Sequence, residues 1–212
     1  MIEFDHLRPR AEAPLPDRSL LIAVSGLSGS GKSTLARLLV ERLRTERPVY
    51  HLDRVADHAA NMAVIARYFD APSTTLASHG PTQEFELTEG AYRRLLEIVG
   101  SFAAHLVRHG VTVVSSLISP YRVVGERLRE AVGVDRFVGV FVSTPLRICE
   151  ARDCRGMYSR ARSGELSFLP GISSPYEAPS NPAVIVDSSG HTPPEVLVES
   201  ILVAVNRARA TQ

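Results

Sequence analysis

Lysine is nearly absent: among the 24 basic residues of this 212-residue chain, Lys32 is the only one. Arginine replaces lysine freely only where a plain charge is wanted, so a single retained lysine marks a position that a planar guanidinium does not serve. Cysteine is almost as scarce. Cys149 and Cys154 are too few for a disulfide framework and lack the companion ligands of a zinc site, which predicts reduced, structural thiols. Excess charge is missing as well. With 24 basic and 23 acidic side chains the net charge is +1, and no global field exists to hold nucleic acid or an anionic membrane. No apolar run reaches membrane-spanning length, and the opening 19 residues, with Glu3, Asp5, Pro9, Pro14 and Pro16, lack the apolar stretch of a secretory signal. We therefore expect a cytoplasmic protein with neither nucleic acid nor membrane as partner.

What remains is 44% hydrophobic and 22% charged, a mix suited to one compact domain. We expect an N-terminal extension over 1–19 and a single domain over 20–212. Apolar, β-branched runs predict strands at 20–24, 49–52, 111–114, 137–142 and 183–186. Helical spacing predicts helices after Lys32 and over 55–69, 87–107, 121–132, 145–152 and 193–208. A loop is expected over 70–83. Alternating strands and helices imply an α/β fold, a parallel sheet flanked by helices with functional groups at the carboxyl ends of the strands. Residues 153–182, rich in Arg, Gly and Pro and without apolar periodicity, read as a lid.

Between the first strand and helix, Gly26-Leu27-Ser28-Gly29-Ser30-Gly31-Lys32-Ser33 fits the phosphate-loop pattern G-x-x-x-x-G-K-[ST], followed by Thr34. Its glycines let backbone N–H groups face inward, and with the helix N-terminus these cradle phosphates. Lys32 would reach the β- and γ-phosphates and the Ser33 hydroxyl would ligate Mg²⁺. The Asn-Lys-x-Asp signature of guanine readers needs a second lysine, so ATP is the expected nucleotide. Val113-Val114-Ser115-Ser116 lacks the terminal Asp of a Walker B strand, and the metal-side carboxylate must come from elsewhere.

Downstream, the segments Ser116-Leu117-Ile118-Ser119-Pro120-Tyr121-Arg122, Phe141-Val142-Ser143-Thr144-Pro145-Leu146, Cys149-Glu150-Ala151-Arg152-Asp153, Gly156-Met157-Tyr158, Ala161-Arg162-Ser163-Gly164-Glu165 and Pro175-Tyr176-Glu177-Ala178-Pro179 follow in an order and spacing that resemble the adenylyl-sulfate kinase family. The resemblance implies a P-loop kinase fold on a five-stranded parallel sheet. It also implies transfer of the ATP γ-phosphate to the 3′-hydroxyl of adenylyl sulfate with Mg²⁺, and a homodimer. Carried onto this chain, it makes Ile118, Ser119, Arg122 and Arg155 candidates for acceptor contact and Arg152 a candidate for the nucleotide.

Departures from the family pattern gather on the acceptor side. Where the family reads Leu-Asp-Gly-Asp, this chain has Leu52-Asp53-Arg54-Val55, which loses a carboxylate. The usual Asp-Arg pair aligns with Ala91 and Tyr92, and the usual Asn and Arg with Leu95 and Glu97. Phe168 lies one position early for the family's aromatic in the lid. Losing positive charge weakens a sulfate pocket. Asp53 suits orienting an acceptor hydroxyl or a Mg²⁺ water, and would also cap a helix beginning at Val55. Asp57, one helical turn on, is a candidate replacement for the lost carboxylate or a solvated surface charge. Ser119 reads as an acceptor contact, a covalent intermediate or a plain turn; Arg122 as an anion contact or a surface charge. Arg152, Arg155, Arg160 and Arg162 form the densest basic run and could close on phosphates. His51 and His58 flank the acids without completing a metal-ligand set.

Overall fold

The computed structural model describes residues 19–53, 89–153 and 155–210. Five strands, β1 (Leu21–Gly26), β2 (Val49–Leu52), β3 (Thr112–Ser115), β4 (Phe137–Val142) and β5 (Val184–Val186), form one sheet in the order β2-β3-β1-β4-β5. Every neighbouring pair is parallel. Around it stand α1 (Lys32–Arg44), α2 (Glu89–Arg108), α3 (Arg122–Val132), α4 (Leu146–Arg152), α5 (Met157–Arg162) and α6 (Pro194–Ala210). The expected helix over 55–69, the loop over 70–83, Asp57, His58, Cys154 and most of the N-terminal extension lie outside the described residues.

Strand alternation divides the core between two faces. Ile22, Val24, Val114, Val138, Val140 and Val142 turn to one face, where Leu35 and Leu39 of α1 and Ile201 and Val205 of α6 cover them. Leu21, Leu52 and Val113 turn to the other, against Val99, Ala103 and Val107 of α2 and Val132 of α3. Burying both faces requires near-continuous apolar strands, which is why the runs were legible. Parallel pairing sends all five strand carboxyl ends to one edge, and β1, the central strand, delivers the phosphate loop there.

The segment 153–182 differs from the irregular loop expected. It contains α5, and Tyr158, Leu166 and Leu169 bury themselves with Cys149, against Leu27 of the phosphate loop. A six-residue helix with Arg and Ser on its open side shows too few apolar turns to register as periodic.

Candidate active site

Gly26, Gly29 and Gly31 hold positive φ values of 148°, 70° and 103°. A Cβ at Gly26 would stand 2.7 Å from the Val142 carbonyl oxygen, and one at Gly31 would stand 2.6 Å from Ser188 Oγ. Both positions exclude any side chain, which lets the loop pass close to β4 and to the residues after β5. The Ser30 N–H donates to the Leu27 carbonyl at 3.1 Å, closing the turn. Ser33 and Thr34 then sit exposed on the first turn of α1.

Three successive loop carbonyls are held from outside. Tyr158 Oη donates to Ser28 O at 2.8 Å, Arg152 Nη1 to Gly29 O at 3.1 Å and Thr144 Oγ1 to Ser30 O at 2.8 Å. The Ser188 N–H donates back to Thr144 Oγ1 at 3.2 Å, and Arg152 Nη2 donates to Ser188 O at 2.6 Å. In a planar peptide the carbonyl and the next N–H point opposite ways, so drawing these oxygens outward turns the following amides into the loop. Tyr158, Thr144 and Ser188 were not among the expected site residues. Arg152, expected at the nucleotide, braces the loop from behind.

Lys32 is buried at the loop's end, and its Nζ donates to Leu27 O at 2.6 Å. One of its three donors is used, leaving two for phosphate oxygens. Burial lowers its pKa from 10.5 to about 8; the charge of Arg155 adds to this, and the Asp53 carboxylate opposes it. Arg155 therefore bears on the lysine electrostatically. The rest of the basic run is committed elsewhere: Arg160 pairs with Glu165 at 3.0 Å and Arg162 with Glu150 at 2.8 Å. Burial raises the Cys149 thiol above its ordinary range, so it stays protonated, in keeping with a structural role.

Asp53 follows β2 and joins the loop directly. Its Oδ1 accepts from Ser33 Oγ at 2.9 Å and from Ser116 Oγ at 2.7 Å. A carboxylate only accepts, so both hydroxyl hydrogens point at Asp53 and the Ser33 lone pairs are left facing outward. Ser116 stands where a Walker B strand would carry its acid. The carboxylate comes instead from the end of the neighbouring strand, β2.

Of the residues expected at the acceptor, Ile118 and Ser119 are half-buried past the end of β3. Ser119 lines a cavity of about 130 Å³ together with Ala23, Leu96, Val99 and Gly139. Arg122 is tied down: its N–H donates to Glu177 Oε2 at 2.9 Å and its Nε to Ala178 O at 2.8 Å. Phe168, within the segment expected as a lid, packs against the cluster of Leu96, Tyr121 and Val124. Glu97 turns toward α3 and pairs with Arg127 at 2.6 Å. Among the described residues no three His, Cys, Asp or Glu side chains converge as a metal site. No helix among them is long and apolar enough to cross a membrane.

A family model described as adenylylsulphate kinase matches residues 79–187. The adenylyl-sulfate kinase of Aeromonas salmonicida is 35% identical over 191 residues, covering 90% of this chain and 87% of that protein. The Escherichia coli adenylyl-sulfate kinase is 37% identical over 164 residues, covering 77% and 72%. Among solved structures, the Mycobacterium tuberculosis APS kinase in complex with AMPPNP and APS superposes with a TM-score of 0.69 at 27% identity, covering 90% of this chain and 99% of that one. The phosphate loop, its single lysine and these similarities converge: the chain is an ATP-dependent kinase and belongs to the adenylyl-sulfate kinase family.

Proposed function

We propose that this chain transfers the γ-phosphoryl group of ATP to a hydroxyl of adenylyl sulfate, the 3′-hydroxyl by family resemblance. The observation that carries the reading is the Asp53 carboxylate bonded to Ser33, beside the only lysine. Lys32 and the inward amides of the loop from Gly26 to Ser33, with Thr34, hold the phosphates, and Arg155 adds charge above them. The acceptor oxygen bonds to phosphorus as the bond to the ADP oxygen breaks, and Asp53 takes the hydroxyl proton. Ile118 and Ser119 place the acceptor from the end of β3, and Ser119 acts by contact, without a covalent intermediate. Arg122 acts by fastening the start of α3 to residues 177–178. Asp57 is assigned to the same side on its position in the sequence alone.

Mg²⁺ fits this donor set. Ser33 offers oxygen lone pairs with its proton already committed, and Asp53 offers a carboxylate behind it, the hard oxygen chemistry that the ion takes. Bound there, Mg²⁺ supplies charge neutralisation on the β- and γ-phosphate oxygens. We take residues 153–182 as the lid of a single domain spanning 20–212, the active unit as a homodimer, and the compartment as cytoplasmic, which suits the buried free thiol of Cys149.

A related acceptor without the sulfate is a second reading, favoured by the sequence, in which Tyr92 and Leu95 stand where the family pattern carries an arginine and an asparagine. Mass spectrometry of products after incubation with ATP, Mg²⁺ and a panel of acceptors separates the two. Adenylyl sulfate gaining one phosphate supports the first; phosphate appearing only on another hydroxyl supports the second. ATP bound with no acceptor phosphorylated overturns both.

A further inference from the structure

Two polar side chains at the edge of the sheet have no part in the transfer just described. Ser116 is buried immediately after β3, and His51 is half-buried on β2. The β2–β3 register pairs His51 with Val114 and Leu52 with Ser115, and the Ser116 N–H donates to Leu52 O at 2.9 Å. His51 and Asp53, two residues apart on an extended chain, project to the same face. Ser116, just beyond the last paired residues, comes between them: His51 Nε2 lies 3.3 Å from Ser116 Oγ, and Ser116 Oγ lies 2.7 Å from Asp53 Oδ1.

Proton counting gives this chain a direction. The carboxylate has no proton to give, so the single Ser116 hydrogen goes to Asp53, and Ser116 Oγ must accept from His51 Nε2–H. His51 therefore holds the Ser116 hydroxyl in the one rotation that serves Asp53. Asp53 Oδ1 in turn receives the Ser33 hydrogen, which leaves the Ser33 lone pairs free. The hydrogens of His51, Ser116 and Ser33 thus converge on the Asp53 carboxylate, two directly and that of His51 through Ser116, and the hydroxyl expected to meet the metal keeps its lone pairs outward.

We infer that Ser116 and His51 are positioning residues that fix the Asp53 carboxylate, and through it the Ser33 hydroxyl, for metal-bound nucleotide. The inference rests on the assignment of Ser33 and Asp53 to the metal side of the nucleotide. Groups one bond behind a metal ligand commonly change metal affinity by about 10- to 100-fold when removed, and Ser116, one bond further back through Asp53, is expected at the low end of that range. The effect of Ser116 and His51 is specific to the metal, because neither touches the amides and lysine that hold phosphate.

The test is calorimetric binding of AMPPNP to the full chain, once with Mg²⁺ and once in EDTA. Ser116→Ala should weaken Mg²⁺–AMPPNP about tenfold and change metal-free AMPPNP by less than about twofold. Ser116→Thr, which keeps the hydroxyl, should bind near the wild-type level. His51→Leu, at a half-buried position, should shift the same metal-dependent affinity. The double variant should be no worse than Ser116→Ala, since both act on one oxygen. Unchanged Mg²⁺–AMPPNP affinity in Ser116→Ala and His51→Leu overturns the inference, and so does an equal loss with and without Mg²⁺. No acceptor is present, so the outcome is independent of which hydroxyl is phosphorylated: an inactive chain can still pass this test, and an active one can fail it.

Discussion

Ser33 Oγ and Asp53 Oδ1 lie 2.9 Å apart, joining the first turn of α1 to the end of β2. The two strands concerned are not neighbours, because β3 runs between β2 and β1. The carboxylate crosses the end of β3 to reach the loop, and it can do so because Ser116, at that end, is small and donates to the same oxygen. A Walker B aspartate in place of Ser116 would set two carboxylates side by side, raising the pKa of one of them. The hydroxyl at β3 and the acid at β2 are one arrangement, and neither substitutes for the other alone.

Lys32→Arg should abolish transfer while the chain stays folded. The ammonium is buried and donates along the loop to Leu27 O at 2.6 Å, where a planar five-donor group does not fit. The expected loss in kcat/KM is about 10²- to 10³-fold or more, as for removal of one directed donor to developing charge. Steady-state kinetics with circular dichroism on the same sample checks it, and turnover near the wild-type rate would remove Lys32 from the mechanism.

Burial of Lys32 also sets a pH dependence of the nucleotide-free protein. Below about 8 the lysine is protonated in both folded and unfolded chains, and folding bears the full cost of burying the charge. Between about 8 and 10.5 the folded chain has released the proton and the unfolded chain still holds it, so stability rises with pH. The rise is on the order of 3 kcal/mol. Lys32→Met should lack it, and the difference between the two urea-unfolding profiles isolates this group from the other titrating side chains. Parallel profiles from pH 7 to 10 would contradict the burial assigned to Lys32.

Tyr158→Phe removes the hydroxyl that holds Ser28 O, leaving that oxygen without its donor. A stability loss of about 1–2 kcal/mol is expected. The KM for ATP should rise by about 5- to 10-fold if a comparable energy is withdrawn from the loop's inward-facing amides. An unchanged KM would show that the loop keeps its shape without the outer brace.

Much of the architecture was legible because burial on both faces of the sheet forces continuous apolar strands: all five were read within one or two residues. The phosphate loop was legible because its glycines answer to backbone geometry, as Gly26 and Gly31 show at the close approach to Val142 and Ser188. The brace of Thr144, Arg152 and Tyr158 was not, since each reaches the loop from more than 100 residues away through hydrogen bonds to carbonyls, which leave no side-chain pattern. Ser116 and His51 were equally hidden, because their meeting depends on the register of β2 against β3. Glu97 was read as a lost sulfate contact, but its orientation toward Arg127 depends on how α2 packs on α3.

That orientation changes what restoring the family residue would do. Glu97→Arg would face Arg127 across the helix pair, replacing attraction by repulsion between exposed charges. Stability should fall by about 0.5–1 kcal/mol, and kcat/KM for adenylyl sulfate should not improve. A severalfold gain in that constant would mean that position 97 reaches the acceptor after all.

The central claim is that Asp53 organises phosphoryl transfer to adenylyl sulfate, and kcat/KM for that acceptor in wild type and Asp53→Asn tests it most directly. Asparagine keeps the shape and can still accept from Ser33 and Ser116, but it carries no charge and takes no proton. The expected result is formation of ADP and phosphorylated adenylyl sulfate in equal amounts by the wild type, with a loss of about 10²- to 10⁴-fold in the variant while metal-free AMPPNP still binds. Wild-type turnover by Asp53→Asn, or no phosphorylated adenylyl sulfate from the wild type at all, would contradict the claim.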